Sequence, residues 1–274
     1  MKHLATVLAM TASTALAADV QPVKDAGPYV PSPQSVVADM LRYADVGPND
    51  FLIDLGSGDG RIVLTAAKVF GARGFGVEIK EQLVKLANEA AQKEGVADRV
   101  KFVKQDLFKT DISQATVVTM YLLPDTVNLL KDKLLTELKP GTRIVSHDYP
   151  LSGWMADNWW QMDLEEKVKI SGVTTTLIYL YIVPAKVAGK WQAHMPSAIS
   201  KQPAALTLKQ QISRVSGSLR LDGREVPIED GKMRGEHLSF RLTGHKGEFS
   251  GVVKGSTIDG MIDGKTPWTA ELGG

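Results

Sequence analysis

The densest chemistry in the chain is the stretch DLGSGDG, Asp54 to Gly60, where three glycines and two aspartates take five of seven positions between apolar runs. Glycine reaches backbone angles closed to other residues and lets another group lie against bare main chain. Gly56, Gly58 and Gly60 at alternate positions exceed what a plain turn needs. The spacing is not the nicotinamide-dinucleotide fingerprint, because the third glycine comes one position early and Arg61 stands where that pattern wants glycine. No Gly-Lys-Ser/Thr follows, so it is not a P-loop either. A pyrophosphate here would face the carboxylates of Asp54 and Asp59, and like charges in a low-dielectric site repel strongly. A cationic amino group would instead be attracted to Asp54.

Two further acids close the next strand-like runs. Glu78 ends GFGVE, at the spacing where a carboxylate accepts both hydroxyls of a ribose. Asp106 ends VKFVKQD, placed to accept from an adenine exocyclic amine while Leu107 flanks the ring. A cationic amino-acid end, a ribose and an adenine together describe S-adenosylmethionine. The expected cofactor-binding set is therefore Asp54, Gly56, Ser57, Gly58, Asp59, Gly60, Glu78, Asp106 and Leu107. The glycine loop alone is a weak signal. Loop, Glu78 and QDL at consecutive strand ends form a strong one, because open α/β sheets bind ligands at strand carboxyl ends.

Composition narrows the field. The chain has 274 residues, 43% apolar and 23% charged, as soluble globular proteins do. It has no cysteine, which excludes disulfides, thiolate metal sites and cysteine nucleophiles. His194, His237 and His245 stand apart in turn-rich segments, so no metal site is expected. A formal net charge of +1 carries no polyanion signal, and no nucleic-acid partner is expected. Residues 1–18, MKHLATVLAMTASTALAA, have the layout of a secretory signal peptide cleaved after Ala17 or Ala18. The apolar run is too short, and too rich in Ala and Thr, for a stable transmembrane anchor. The expected location is periplasmic or secreted, in tension with a cofactor made in the cytosol.

The elements that must position these residues alternate. Ser32 and Pro33 suit the N-cap and first position of a helix running to about Tyr43. Strands are expected over 51–55, 74–79, 100–106, 115–123 and 142–148, with helices over 61–70, 80–94 and 125–138. Such alternation means a parallel sheet with helices on both faces. LEEKVKI (164–170) and TTTLIYLYIVP (174–184) read as a hairpin at its edge. Beyond about Gly189, short alternating runs separated by Asp-Gly and Gly-His-Lys-Gly turns suggest an antiparallel meander, a small barrel or half-barrel. The fold class expected is α/β, a Rossmann-like doubly wound, mostly parallel seven-stranded sheet followed by a small antiparallel β domain. The domains are 1–18 (signal), 19–188 and 189–274.

The stretches PYVPSP (28–33), LIDLGSGDGRIVLTAA (52–67), FGVEI (75–79) and RIVSHDYPLSGW (143–154) resemble the class I, seven-stranded S-adenosylmethionine-dependent methyltransferases. Within that superfamily they resemble the family of the mitochondrial ATP synthase c-subunit lysine methyltransferase, over roughly 28–183. The resemblance implies methyl transfer to a nitrogen, foremost a protein lysine, with a membrane or envelope protein as the partner. It makes Tyr29, Tyr121, His147 and Asp148 the candidates to line the acceptor channel, the last two as a general-base pair or a strand-end cap. Trp154, Trp159 and Trp160 read as packing, with a lipid-facing patch as the other reading. The chain departs from that family in its export signal and its β-rich tail. Two alternatives stay open: a small-molecule methyltransferase, and a non-catalytic exported binding module on the same fold.

Overall fold

The structure, a computed structural model, describes residues 29–200 and 202–273. The expected signal peptide lies outside the described residues. Helix α1 (Gln34–Tyr43) precedes an alternating series: β1 (Phe51–Leu55), α2 (Arg61–Phe70), β2 (Arg73–Glu78), α3 (Glu81–Lys93), β3 (Val100–Lys104), β4 (Val117–Met120), α4 (Pro124–Glu137) and β5 (Arg143–His147). Then come β6 (Asn158–Asp163), α5 (Glu165–Ser171) and β7 (Thr175–Ile182). The seven strands lie in the order β3-β2-β1-β4-β5-β7-β6. β1 to β5 run parallel, and β7 is antiparallel to both of its neighbours.

The parallel strands are apolar on both faces because helices cover both. One core gathers α1, α2 and α3 around residues such as Met40, Leu41, Leu52 and Phe102. The other sets α4 against Ile53, Val118, Ile144 and Tyr181. Strand order reverses at β1, whose neighbours are β2 and β4, so the carboxyl end of β1 opens on the crevice where such sheets hold ligands.

Two local expectations are corrected. Residues 164–170 are not a strand: the sheet's last strand is β6, and LEEKVKI supplies α5 instead. Glu165 and Glu166 stand in its first turn, Lys169 in its last, and Gly172 closes it in the left-handed conformation, all suited to a helix. Leu164 and Val168 sit four apart, which fits a helical face as well as it fits alternation. At the start of α1, Pro33 is the cap residue and no side chain caps the helix. The hydroxyl of Ser32 goes elsewhere, to His147.

The aromatic cluster divides. Trp154 is buried beside Tyr181, and Trp160 stacks on Tyr43 with ring centroids 4.0 Å apart. Trp159 is 56% exposed.

Eight antiparallel strands then close a barrel: β8 (Gly189–His194), β9 (Ala204–Gln211), β10 (Arg214–Leu221), β11 (Arg224–Arg234), β12 (His237–Leu242), β13 (Glu248–Lys254), β14 (Thr257–Ile262) and β15 (Thr266–Leu272). Eight strands make a barrel just wide enough for side chains to fill. Here Phe240 and Phe249 stack at 5.0 Å, and Trp268 meets both edge-on. Barrel and sheet share a seam. The buried carboxylate of Asp157 lies 3.6 Å from Lys232 and 3.4 Å from Arg234, and the amide of Ala185 donates to the carbonyl of Gly235.

Candidate active site

The loop after β1 is pinned by its neighbour: the amides of Gly56 and Ser57 both donate to the carbonyl of Val77, at 2.9 Å. Gly56, Gly58 and Gly60 take φ values of 80°, 54° and 83°, where side chains are strained. The groups that come close to this backbone include the protein's own. A Cβ on Gly58 would lie 2.5 Å from the ring of Tyr29, and one on Gly56 2.6 Å from Leu122. Gly60 serves packing, since a Cβ there would meet Phe102 and Ala87. It does not line the cavity, whereas the other eight residues of the expected cofactor set do.

The acids divide the work. Asp54 is buried, accepts from the hydroxyl of Thr119 at 2.7 Å, and is pushed up to about 7 by burial, with the charges of Asp59 and Glu78 adding to the shift. The oxygens of Glu78 accept from the amides of Gly58 and Lys80 at 3.1 and 2.9 Å, which joins the ends of β1 and β2. A carboxylate has about four acceptor positions, so Glu78 keeps capacity for a pair of hydroxyls. Asp106 caps the 3₁₀ turn Leu107–Lys109 through the amide of Phe108, at 2.9 Å. Asp59 is committed to Arg61, whose guanidinium grips it at 2.6 and 2.9 Å and donates to the carbonyl of Ser32 at 2.7 Å. Burial opposes the Asp59 charge, yet the Arg61 hydrogen bonds hold its carboxyl below the usual range.

That pair fastens the lead-in segment across the loop. Tyr29 lies on Gly58, and its phenol is pushed up to about 12 by burial and then by Asp59, so it stays protonated.

The remaining three candidates form one cluster, but only Tyr121 lines the cavity. His147 is buried behind it, with ring centroids 3.9 Å apart, and its Nδ1 is 2.9 Å from the Ser32 hydroxyl. Burial pushes His147 down to about 4, the Lys167 charge assisting and Asp148 opposing. A neutral imidazole screened by Tyr121 does not reach an acceptor, so the general-base reading of His147 and Asp148 gives way to a supporting one. The Tyr121 hydroxyl donates to Asp148 at 3.1 Å, and Asp148 pairs with the buried Lys167 at 2.7 Å. Lys167 was missed from sequence because its segment read as an edge strand of a hairpin with 174–184, with no partner named for its charge.

The donor set fits S-adenosylmethionine: a buried carboxyl for the cationic end, Glu78 and Asp106 at successive strand ends, and the Ser57 hydroxyl buried without a hydrogen-bond partner among the described residues. Sheet order and acid-lined glycine loop together define a class I S-adenosylmethionine-dependent methyltransferase. The comparisons narrow this class. Residues 54–158 match the ANTKMT methyltransferase domain. A protein-lysine N-methyltransferase of Saccharolobus islandicus is 44% identical over 158 residues, covering 57% of this chain and 93% of the relative. The chain belongs to this methyltransferase family.

The mouse adenine nucleotide translocase lysine N-methyltransferase is 37% identical over 127 residues, covering 46% of this chain and 55% of its own. The chain thus spans little more than half the length of that relative. A crystal structure described as an RNA methyltransferase from Salinibacter ruber, with S-adenosyl-L-homocysteine, is 47% identical at a TM-score of 0.52. It covers 58% of this chain and 96% of that one. The family match ends at residue 158, ahead of the barrel.

Proposed function

We propose that this enzyme methylates the side-chain amine of a lysine in a protein, and that the protein is exported and acts on an envelope or membrane protein. The observation that carries the first part is the 44% identity to an archaeal protein-lysine N-methyltransferase along 93% of its length. The second part rests on the signal-like residues 1–18 and implies a route for cofactor supply outside the cytosol. The domain division at residue 188 is proposed on the same footing, with the barrel as an addition of its own.

When bound, S-adenosylmethionine would supply an electrophilic methyl on its sulfonium for the amine lone pair to displace, the bonding pair returning to sulfur and the extra proton of the amine passing to water. The protein's residues bind and orient. Asp54, Glu78 and Asp106 hold the cationic, ribose and adenine ends, and alignment alone supplies about 7–11 kcal/mol of such a barrier. A free lysine amine titrates near about 10.4, so it must be neutral when it reacts. Tyr29 and Tyr121 offer rings that strip water from it and lower its proton affinity.

The test uses the chain lacking residues 1–18, methyl-labelled S-adenosylmethionine, and separate envelope and RNA fractions from a host deleted for the gene. Label recovered as methyllysine in acid hydrolysates of envelope protein is the expected outcome. Label confined to nuclease-sensitive material would replace lysine with RNA, the acceptor in the Salinibacter ruber description.

A further inference from the structure

Behind Tyr121 lies a buried polar chain that no step above uses. Lys167 is buried in α5, outside the residues matched by the family. Its ammonium sits 2.7 Å from the Asp148 carboxylate and also donates to the carbonyl of Thr175. Asp148, held at φ 63°, accepts in addition from the amide of Leu177 at 3.0 Å. With those donors in place, one oxygen of Asp148 accepts a hydrogen bond from the Tyr121 hydroxyl at 3.1 Å.

We infer that Lys167 is a positioning residue: by anchoring Asp148 it fixes the Tyr121 hydroxyl as a donor inward, leaving the phenol oxygen to accept an N–H of the incoming amine. The physical reasoning runs outward from the pair. A buried ammonium and a nearly buried carboxylate each require the other, and removing one leaves an uncompensated charge. Asp148 without Lys167 loses its fixed orientation, and the Tyr121 hydroxyl rotor is released. A hydroxyl whose single proton is committed presents only lone pairs to the cavity, the arrangement that suits an amine still carrying hydrogens. The amine's own lone pair is then turned away from Tyr121, free to meet the methyl group.

His147 contributes the floor of this arrangement. Its ring lies against Tyr121, its Nδ1 is tied to Ser32, and its Nε2 is 3.5 Å from Asp148 without a hydrogen bond. The ring therefore sets where the phenol lies, and Asp148 with Lys167 sets where the phenol's proton points.

The inference rests on amine methylation as proposed above, and its test has two independent readouts. With a lysine acceptor, Tyr121→Phe and Lys167→Met should each lower kcat by about tenfold, the value of one hydrogen bond, with little change in S-adenosylhomocysteine affinity. The double variant should be no slower than Tyr121→Phe alone, and Lys167→Arg should recover part of the loss. Losses that multiply in the double variant, or a Lys167→Met loss confined to cofactor affinity, would overturn it. The second readout needs no acceptor: in protein carrying ¹³Cζ-tyrosine, the Tyr121 resonance should move in Lys167→Met and return toward its position in Lys167→Arg. An unmoved resonance would overturn the inference even if wild-type protein fails to methylate lysine, a failure that counts against the acceptor alone. Should Lys167→Met not fold, Lys167→Gln, which removes the charge but keeps a donor for the Thr175 carbonyl, takes its place in both readouts.

Discussion

The sheet and the barrel bury different things. The sheet's interior holds Asp54, His147 and Lys167, together with Ser32, Ser57 and Thr119. Among the described residues of the barrel, Ser200 and Ser213 are the buried polar side chains, and no charged one is buried. Its centre is filled by Trp268, Phe240 and Phe249, and the Trp268 indole donates to the carbonyl of Ser250 at 3.0 Å. A buried titratable group costs stability unless something offsets it, so a region that keeps several is arranged around a ligand or a reaction. A region that buries only apolar surface and satisfied dipoles is arranged for stability. The candidate site lies in the sheet, and the barrel packs around an apolar centre of its own and meets the sheet at the Asp157 seam.

Changes at the two centres should therefore separate. Trp268→Ala should have the largest effect, about 3–5 kcal/mol of stability, by opening a cavity in the barrel. Calorimetric titration of S-adenosylhomocysteine at low temperature should find affinity unchanged, and a loss of affinity would join what the comparison divides.

Asp54→Asn should do the reverse. Losing a charge-assisted contact costs about 1.5–3 kcal/mol, or more than about tenfold in cofactor affinity. The same change should stabilise the unliganded protein. Asp54 titrates near 7 when folded but near about 3.9 when unfolded, so the unfolded state sheds its proton first. Its contribution is full at acid pH, declines as pH rises from about 4 to about 7, and stays lost above. Thermal unfolding at pH 8 should show a higher Tm for the Asn variant, and a lower one would mean that the wild-type carboxylate is stabilised by a partner.

Smaller, and readable in wild-type protein, is the pH dependence of binding. If the ionised Asp54 receives the cationic end, affinity should fall toward tenfold per pH unit below about 7, with Asp54→Asn flattening the curve. The smallest effect should be that of Tyr29→Phe. It keeps the ring over Gly58 and loses only the hydroxyl facing Asp59, so cofactor affinity should change by no more than about threefold.

Much of this was legible from local pattern. A glycine loop between an apolar strand and a helix, then an acid at each of the next two strand ends, is a signal carried within about fifty consecutive residues. Parallel alternation and the later run of short strands also show in periodicity, because burial on two faces, or on one, writes itself into residue order. The misread strand came where two periods fit the same letters. LEEKVKI satisfies both alternation and a four-residue helical spacing, and only pairing of Asn158–Asp163 with β7 settled which segment joined the sheet.

The chain by itself determined where the three acids of the candidate site stand, since Asp54, Glu78 and Asp106 owe their positions to the strands they end. Tertiary structure alone decided who stands behind them. Ser32 and His147 are 115 residues apart, and Arg61 reaches 29 residues back to the carbonyl of Ser32. Tyr121 meets Asp148 across 27 residues, and Asp148 meets Lys167 across another 19. Such partners are chosen by which strand ends the sheet brings side by side and, for Asp148 and Lys167, by the need of a buried ammonium for an opposite charge. Neither condition leaves a mark in the local order of residues.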